Sequence, residues 1–274
     1  MGTTIQNPPA QSPRPDPEED ELNGKQMSFL EHLEELRKRL IRAILSIVVG
    51  FGICFYFSDH IYGYLERPMT DTFRSLHLNA NLVYLNPIDP FNLYIKLAIV
   101  GGIFLASPYI LLQLWLFISP GLYRHEKRYV WPFVLLTSTL FIAGGAFAYK
   151  LAFPPALKFL LQFGHRFQPQ VTINEYFNLA TTIILGVGIV FELPVIILIL
   201  SLFGIVTPKF LIKNLRYAIL ITAVLAAAIA PTPDLATLFI IWIPMVGLYV
   251  LSIGLCWLVY FKKRKKATAA ESHT

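Results

Sequence analysis

Three acidic residues stand where a charge is costly or out of place. Glu192 lies deep inside an apolar run, where an ionised carboxylate at a helix centre costs ~2.5–3.5 kcal/mol on insertion scales, so the neutral acid is favoured. Pro194 follows two residues later and leaves the carbonyl of Val190 without its helical donor. Two readings of Glu192 stand side by side: a neutral acid bonded within that kink, or a polar contact for a partner helix or a passing substrate. Glu35 and Glu126 sit beside apolar runs among basic residues, as in Glu34-Glu35-Leu36-Arg37-Lys38-Arg39 and Arg124-His125-Glu126-Lys127-Arg128. One reading is a solvated helix face, with Glu34 paired to Lys38 and Glu35 to Arg39 at i,i+4. The other is a pair of carboxylates held ready for a cationic ligand.

Enzyme motifs are missing. No G-x-x-x-x-G-K-[ST] phosphate loop and no G-x-S-x-G elbow occur. His125-Glu126 begins a zinc-type H-E-x-x-H, but the fifth position is Tyr129, so neither a metal site nor a cofactor site is expected. Cys54 and Cys256, each within an apolar run, give no disulfide or zinc pattern. Work on another molecule would have to be driven by a partner protein or by the membrane potential.

The elements that position these residues follow from composition. Charged residues make up 15% of the 274, against ~25% in soluble domains, so long apolar runs are expected to face lipid. The mean hydropathy is +0.56. The net charge is +6, carried in short basic clusters at the ends of apolar runs, a pattern of lipid anchoring and not of nucleic-acid binding. Residues 1–27 are different. Pro8, Pro9, Pro13, Pro15 and Pro17 precede Glu18-Glu19-Asp20-Glu21, and so polar a segment is expected to be disordered, not a signal peptide.

Six apolar runs cover about 40–57, 93–117, 131–149, 183–203, 217–230 and 238–261. A span needs ~20 residues to cross ~30 Å of hydrocarbon. The fifth run gives only ~21 Å of helix and reads as the first arm of a short hairpin, closed by Pro231-Thr232-Pro233-Asp234. No internal repeat is evident. An even number of spans places both ends on one side. That side carries 17 of the 23 lysines and arginines and is expected to be the cytoplasm; the other six are Arg67, Arg74, Lys96, Lys150, Lys158 and Arg166. The expectation is therefore an all-α polytopic membrane protein with six transmembrane helices over residues 28–261, and a basic cytoplasmic tail at 262–274.

Local signals refine the helices. Ser28-Phe29-Leu30-Glu31 is a capping box ahead of a stripe at Phe29, Leu33, Leu36 and Leu40, predicting an amphipathic lead into span one. Asp89-Pro90 resembles an N-cap with proline at the first helical position. Thr172-Ile173-Asn174-Glu175 is a second capping box, so span four should start well outside the bilayer. Tyr62, Leu65, Met69, Phe73 and Leu76 repeat at helical spacing around Pro68 and predict a pair of interfacial helices on the outer side.

Four motifs, in this order, resemble the TatC family, the membrane-embedded receptor subunit of the twin-arginine protein translocase. They are His32-Leu33-Glu34-Glu35-Leu36-Arg37-Lys38-Arg39-Leu40; Ser107-Pro108 with Gln113, Phe117 and Pro120 through Arg128; Phe191-Glu192-Leu193-Pro194; and Pro233-Asp234. The resemblance covers about 29–261. It implies a concave, cupped six-helix fold. It implies a protein of the bacterial cytoplasmic membrane with both termini in the cytoplasm, which binds Arg-Arg signal peptides of folded cargo. It further implies assembly in an oligomeric complex with single-span partners of the TatA/TatB type, and transport driven by the proton-motive force. By position, Glu35 and Glu126 match the family's signal-peptide-binding acids, accompanied by Arg37 and Phe117. Pro68 and Glu192 match further functional positions, and Pro108, Pro194 and Asp234 belong to the same motifs. Two departures stand out: the long N-terminal segment, and Leu238 beside Thr237 where many members carry a polar Gln. A secondary transporter or channel is the main rival, and it would need a midplane polar pathway. An intramembrane protease is the enzyme alternative.

Overall fold

The apolar runs fold as helices because lipid offers no partner for backbone amides and carbonyls, which must therefore pair within each span. The structure, a computed structural model, describes residues 29–78, 81–118 and 130–271. The N-terminal segment, Ser28 of the first capping box, and Glu126 lie outside the described residues. In chain order the helices are α1 (Phe29–Tyr56), α2 (Ser58–Ser75), α3 (Asp89–Ile118), α4 (Val130–Phe147), α5 (Phe153–Phe163) and α6 (Ile173–Val190). They continue as α7 (Leu193–Leu202), α8 (Pro208–Lys213), α9 (Leu215–Ile229) and α10 (Leu235–Glu271). A π-helical turn, Ala148–Ala152, joins α4 to α5. Among the described residues five stretches are long and apolar enough to cross a membrane, and α9 adds a shorter sixth apolar helix of 15 residues.

Prolines shape the spans, and each carbonyl they orphan finds its own solution. In α3, Pro108 leaves the Phe104 carbonyl free, and the Ser107 hydroxyl donates to it at 2.8 Å. In span four the helix stops at Val190, turns through Phe191 and Glu192, and restarts as α7 with Pro194 in its first turn. In span three, Pro154 and Pro155 follow the π-turn, which absorbs the two missing donors without ending the helix. Span three is consequently longer than its apolar run, reaching Phe163 where the run alone ends near Tyr149.

The outer segment corrects the expectation of two interfacial helices. α2 is one continuous helix with a buried Pro68 inside it. The Tyr64 carbonyl, which Pro68 cannot serve, accepts from the Tyr149 hydroxyl at 2.5 Å. The neighbouring Leu65 carbonyl accepts from the Tyr176 hydroxyl at 2.6 Å. Donors from spans three and four thus carry the helix through the proline.

The N-cap half of the second capping box forms, with the Thr172 side chain accepting from the Glu175 amide at 3.3 Å, while the Glu175 side chain makes no return bond to the Thr172 amide among the described residues. Asp89 does open α3, but its carboxylate turns back to accept from the Leu85 and Asn86 amides at 3.3 and 3.0 Å. It ties down the incoming loop and does not cap its own helix. That loop also exchanges two backbone bonds with the start of α6, Val83 N–H to Val171 and Ile173 N–H to Val83. On the inner side, Thr207 caps α8 by accepting from the Phe210 amide.

The spans neighbour one another in an open series: α1 on α3, α3 on α4, α4 on α6, α7 on α10, and α10 on α9. The largest apolar cluster sits toward the outer end, where Met69, Phe73, Phe153, Tyr176 and Phe177 meet Ile241 and Met245. At the opposite end of the spans two small clusters form among the described residues, around Trp115, Phe133 and Val195 and around Leu211, Tyr249 and Cys256. α1 is attached by backbone contact. A Cβ on Gly50 would stand 2.7 Å from the Gly102 carbonyl oxygen, and one on Gly102 would stand 2.7 Å from the Phe51 nitrogen. Both are closer than a side chain can come. The remaining faces of α1 expose Ile44, Leu45, Val48, Val49 and Ile53, as a lipid-facing helix should.

Candidate functional site

In the first turns of α1, His32, Glu35 and Arg39 occupy one face at i, i+3 and i+7, and all three are partly buried. That face turns toward the end of α3. The His32 imidazole stacks on Phe117, with ring centroids 4.5 Å apart and 19° between the planes. Arg39 Nε donates to Glu35 Oε1 at 2.9 Å, and the guanidinium Nη2 reaches the same oxygen. The other oxygen, Glu35 Oε2, is buried and has no hydrogen-bond partner among the described residues. The carboxylate is therefore half used.

The expected helix-face pairs both form. Lys38 Nζ stands 2.8 Å from Glu34 Oε1, and that hydrogen bond and charge hold the Glu34 carboxyl below its usual range. The Glu34 pair is exposed, whereas Glu35 and Arg39 are about four-fifths buried. Only the second pair is positioned by its surroundings. Arg37 points away from this corner and is exposed. The structure thus brings Glu35 and Phe117 together through His32 and leaves Arg37 on another face.

Within the membrane, Glu192 ends span four's first half. Its backbone carbonyl accepts from the Val195 and Ile196 amides, starting α7. Its side chain does not close the kink: Glu192 Oε1 is buried with no partner among the described residues. The reading of an acid bonded within the proline turn is therefore not what the structure shows. Gln113 Oε1 and Trp115 Nε1, on the inner half of α3, are also buried without partners among the described residues. Pro194 is buried and Pro108 is exposed on its helix. On the outer side, Asp234 accepts from the Thr237 amide at 2.8 Å and caps α10, while Pro68 is packed in α2 as described.

Sequence reasoning did not foresee Tyr149 and Tyr176 as hydroxyl donors to α2. The only available sign was a tyrosine at the outer end of each span. No group of three or more His, Cys, Asp or Glu side chains able to hold a metal occurs among the described residues.

The fold and the site define a polytopic helical membrane protein, with a cluster of polar side chains where α1 begins and α3 ends and an acid within span four whose buried Oε1 has no partner among the described residues. The family model described as Sec-independent protein translocase protein (TatC) matches residues 31–244. The chain belongs to the TatC family. A Sec-independent protein translocase protein TatC of Koribacter versatilis is 49% identical over 247 residues, covering 90% of this chain and 91% of that protein. One from Aquifex aeolicus is 37% identical over 242 residues, covering 87% and 98%. A crystal structure titled as the twin arginine translocase receptor TatC superposes with a TM-score of 0.70 at 37% identity, covering 83% of this chain and 99% of that one.

Proposed function

We propose that this chain is the receptor of a twin-arginine translocase, with Glu35 and Glu126 taking the two arginines of a signal peptide. The observation that carries the reading is the half-used Glu35 carboxylate, buried at the cytoplasmic end of α1 with Oε2 unbonded among the described residues. A guanidinium is planar, always charged and shaped to match a carboxylate. Glu35 is fixed by Arg39 on one side, and its helix face is set by the His32–Phe117 stack. An incoming arginine meets a positioned acceptor and leaves no buried oxygen unpaired. Glu126 is the second acid by its place in the family motif. Single-span TatA/TatB-type subunits are the partners in this reading. The protein sits in the bacterial cytoplasmic membrane with both termini in the cytoplasm, and the proton-motive force supplies the work that no nucleotide site can.

The test is the affinity of purified protein for an Arg-Arg signal peptide. Each charged hydrogen bond contributes ~1.5–3 kcal/mol, so Glu35→Ala or Glu126→Ala should weaken binding about tenfold or more. Glu126→Lys should be worse, because it adds repulsion. A Lys-Lys peptide should bind less tightly, and added salt should weaken binding at this water-accessible rim. Unchanged affinity in a folded Glu35→Ala/Glu126→Lys double variant would overturn the reading.

A further inference from the structure

Three of the six basic residues on the outer side converge on one groove. Arg67 and Asp71 of α2 face Lys150 of the π-turn and Lys158 of α5 across a cavity of about 720 Å³, with Pro68 and Pro154 adding apolar surface. Among the described residues none of the three cations has a carboxylate partner. Arg67 lies over the Tyr64 ring at 5.6 Å, and the Asp71 carboxylate stands 3.9 Å from Arg74. Cations on the outer side run against the inward bias of basic residues, so their gathering here asks for an anion.

The depth identifies which anion. Span three enters at Trp131, and a helix of ~20 residues crosses the hydrocarbon, so Lys150 comes out at its outer edge. Lys158 lies two turns further on, ~12 Å along the axis and at headgroup level. Just beside Lys150, Leu151 is 54% exposed, offering an apolar surface to a chain descending from the groove. A site that begins in headgroups and continues onto an exposed leucine fits a lipid better than a free ion.

We propose that this groove binds the phosphodiester headgroup of an anionic phospholipid from the outer leaflet. Arg67 offers its planar fork to two phosphate oxygens, while Lys150 and Lys158 act as point charges around them. Basic pockets between transmembrane helices bind such headgroups by the same chemistry. The lipid then bridges α2 to span three across the same gap that Tyr149 closes from within. The proposal is independent of the signal-peptide reading.

The test uses the full chain in dodecyl maltoside, with dioleoylphosphatidylglycerol, dioleoylphosphatidylcholine or inorganic phosphate added, and native mass spectrometry with thermal unfolding as readouts. The wild type should retain phosphatidylglycerol over phosphatidylcholine and be stabilised by it, while inorganic phosphate leaves the melting temperature unchanged. An Arg67→Gln/Lys150→Gln/Lys158→Gln variant should retain about tenfold less phosphatidylglycerol or lower still. Lys209→Gln/Lys213→Gln, with exposed cations removed from the opposite side, should behave as wild type. Equal retention by the triple variant, equal loss in the control, or stabilisation by phosphate alone would each overturn the proposal. If the triple variant aggregates, Lys158→Glu alone, at an exposed position, carries the same comparison.

Discussion

The Tyr149 hydroxyl donates to the Tyr64 carbonyl over 2.5 Å, in place of the amide that Pro68 lacks. Their rings also stack, with centroids 4.5 Å apart. The two contacts can be separated. Tyr149→Phe keeps the stack and removes the hydrogen bond, which should cost about 0.5–1.5 kcal/mol of stability. In a Pro68→Ala background the helix regains its own donor, so the same change should cost almost nothing. Thermal or denaturant unfolding of the four proteins in detergent reads the coupling. Equal costs in both backgrounds would remove the hydroxyl from this role.

The Gly50–Gly102 crossing makes a second prediction. Gly102→Val must push α1 and α3 apart, and overpacking of this kind costs typically ~1–3 kcal/mol. Gly52 provides the control, since a Cβ there meets nothing within 4 Å. Gly52→Ala should be neutral or mildly stabilising through helix propensity. An engineered cysteine pair across the interface should crosslink in the wild-type background and fail in Gly102→Val.

Glu192 should separate stability from function. A buried oxygen without a partner costs ~1–3 kcal/mol, so Glu192→Leu should raise the melting temperature. Export of an Arg-Arg cargo should be lost in Glu192→Leu and in Glu192→Ala, and largely kept in Glu192→Gln, which preserves a polar contact. Normal export by Glu192→Ala at normal protein level would leave the acid without a transport role.

Topology is tested by accessibility. Cysteine reporters near Gln26, Lys209 and the C-terminal tail should be labelled only from the cytoplasmic side, and reporters near Leu76, Arg166 and Thr232 only from the outside. The 17 basic residues against six motivate the assignment. A tail labelled from outside would rule out six spans.

Much of this architecture can be read from the chain. The apolar runs mark the spans, and the Thr172 capping box places the start of α6 correctly because both of its partners lie within four residues. The Glu35–Arg39 pair is legible for the same reason. Contacts that join distant segments leave no local trace. Pro68 looks like a divider between two helices because the hydroxyls that serve the Tyr64 and Leu65 carbonyls come 85 and 111 positions after those residues, as Tyr149 and Tyr176. His32 and Phe117 are each visible in a motif, yet only the packing of α1 on α3 makes them neighbours. Glu192 is conspicuous in an apolar run, but whether the kink would satisfy it depended on the turn geometry at Phe191, which composition does not encode.

The two tyrosine donors also set an order of assembly. During synthesis α2 is made long before Tyr149 and Tyr176. Until Tyr149 arrives, the Tyr64 carbonyl must be solvated by water or headgroups, and the helix has a weak point at Pro68. Insertion of the third span supplies the first donor, and the fourth supplies the second. α2 is therefore among the earliest segments to be made and among the last to be finished. A nascent chain halted before Tyr176 should expose α2 to protease from outside, and one released after it should not.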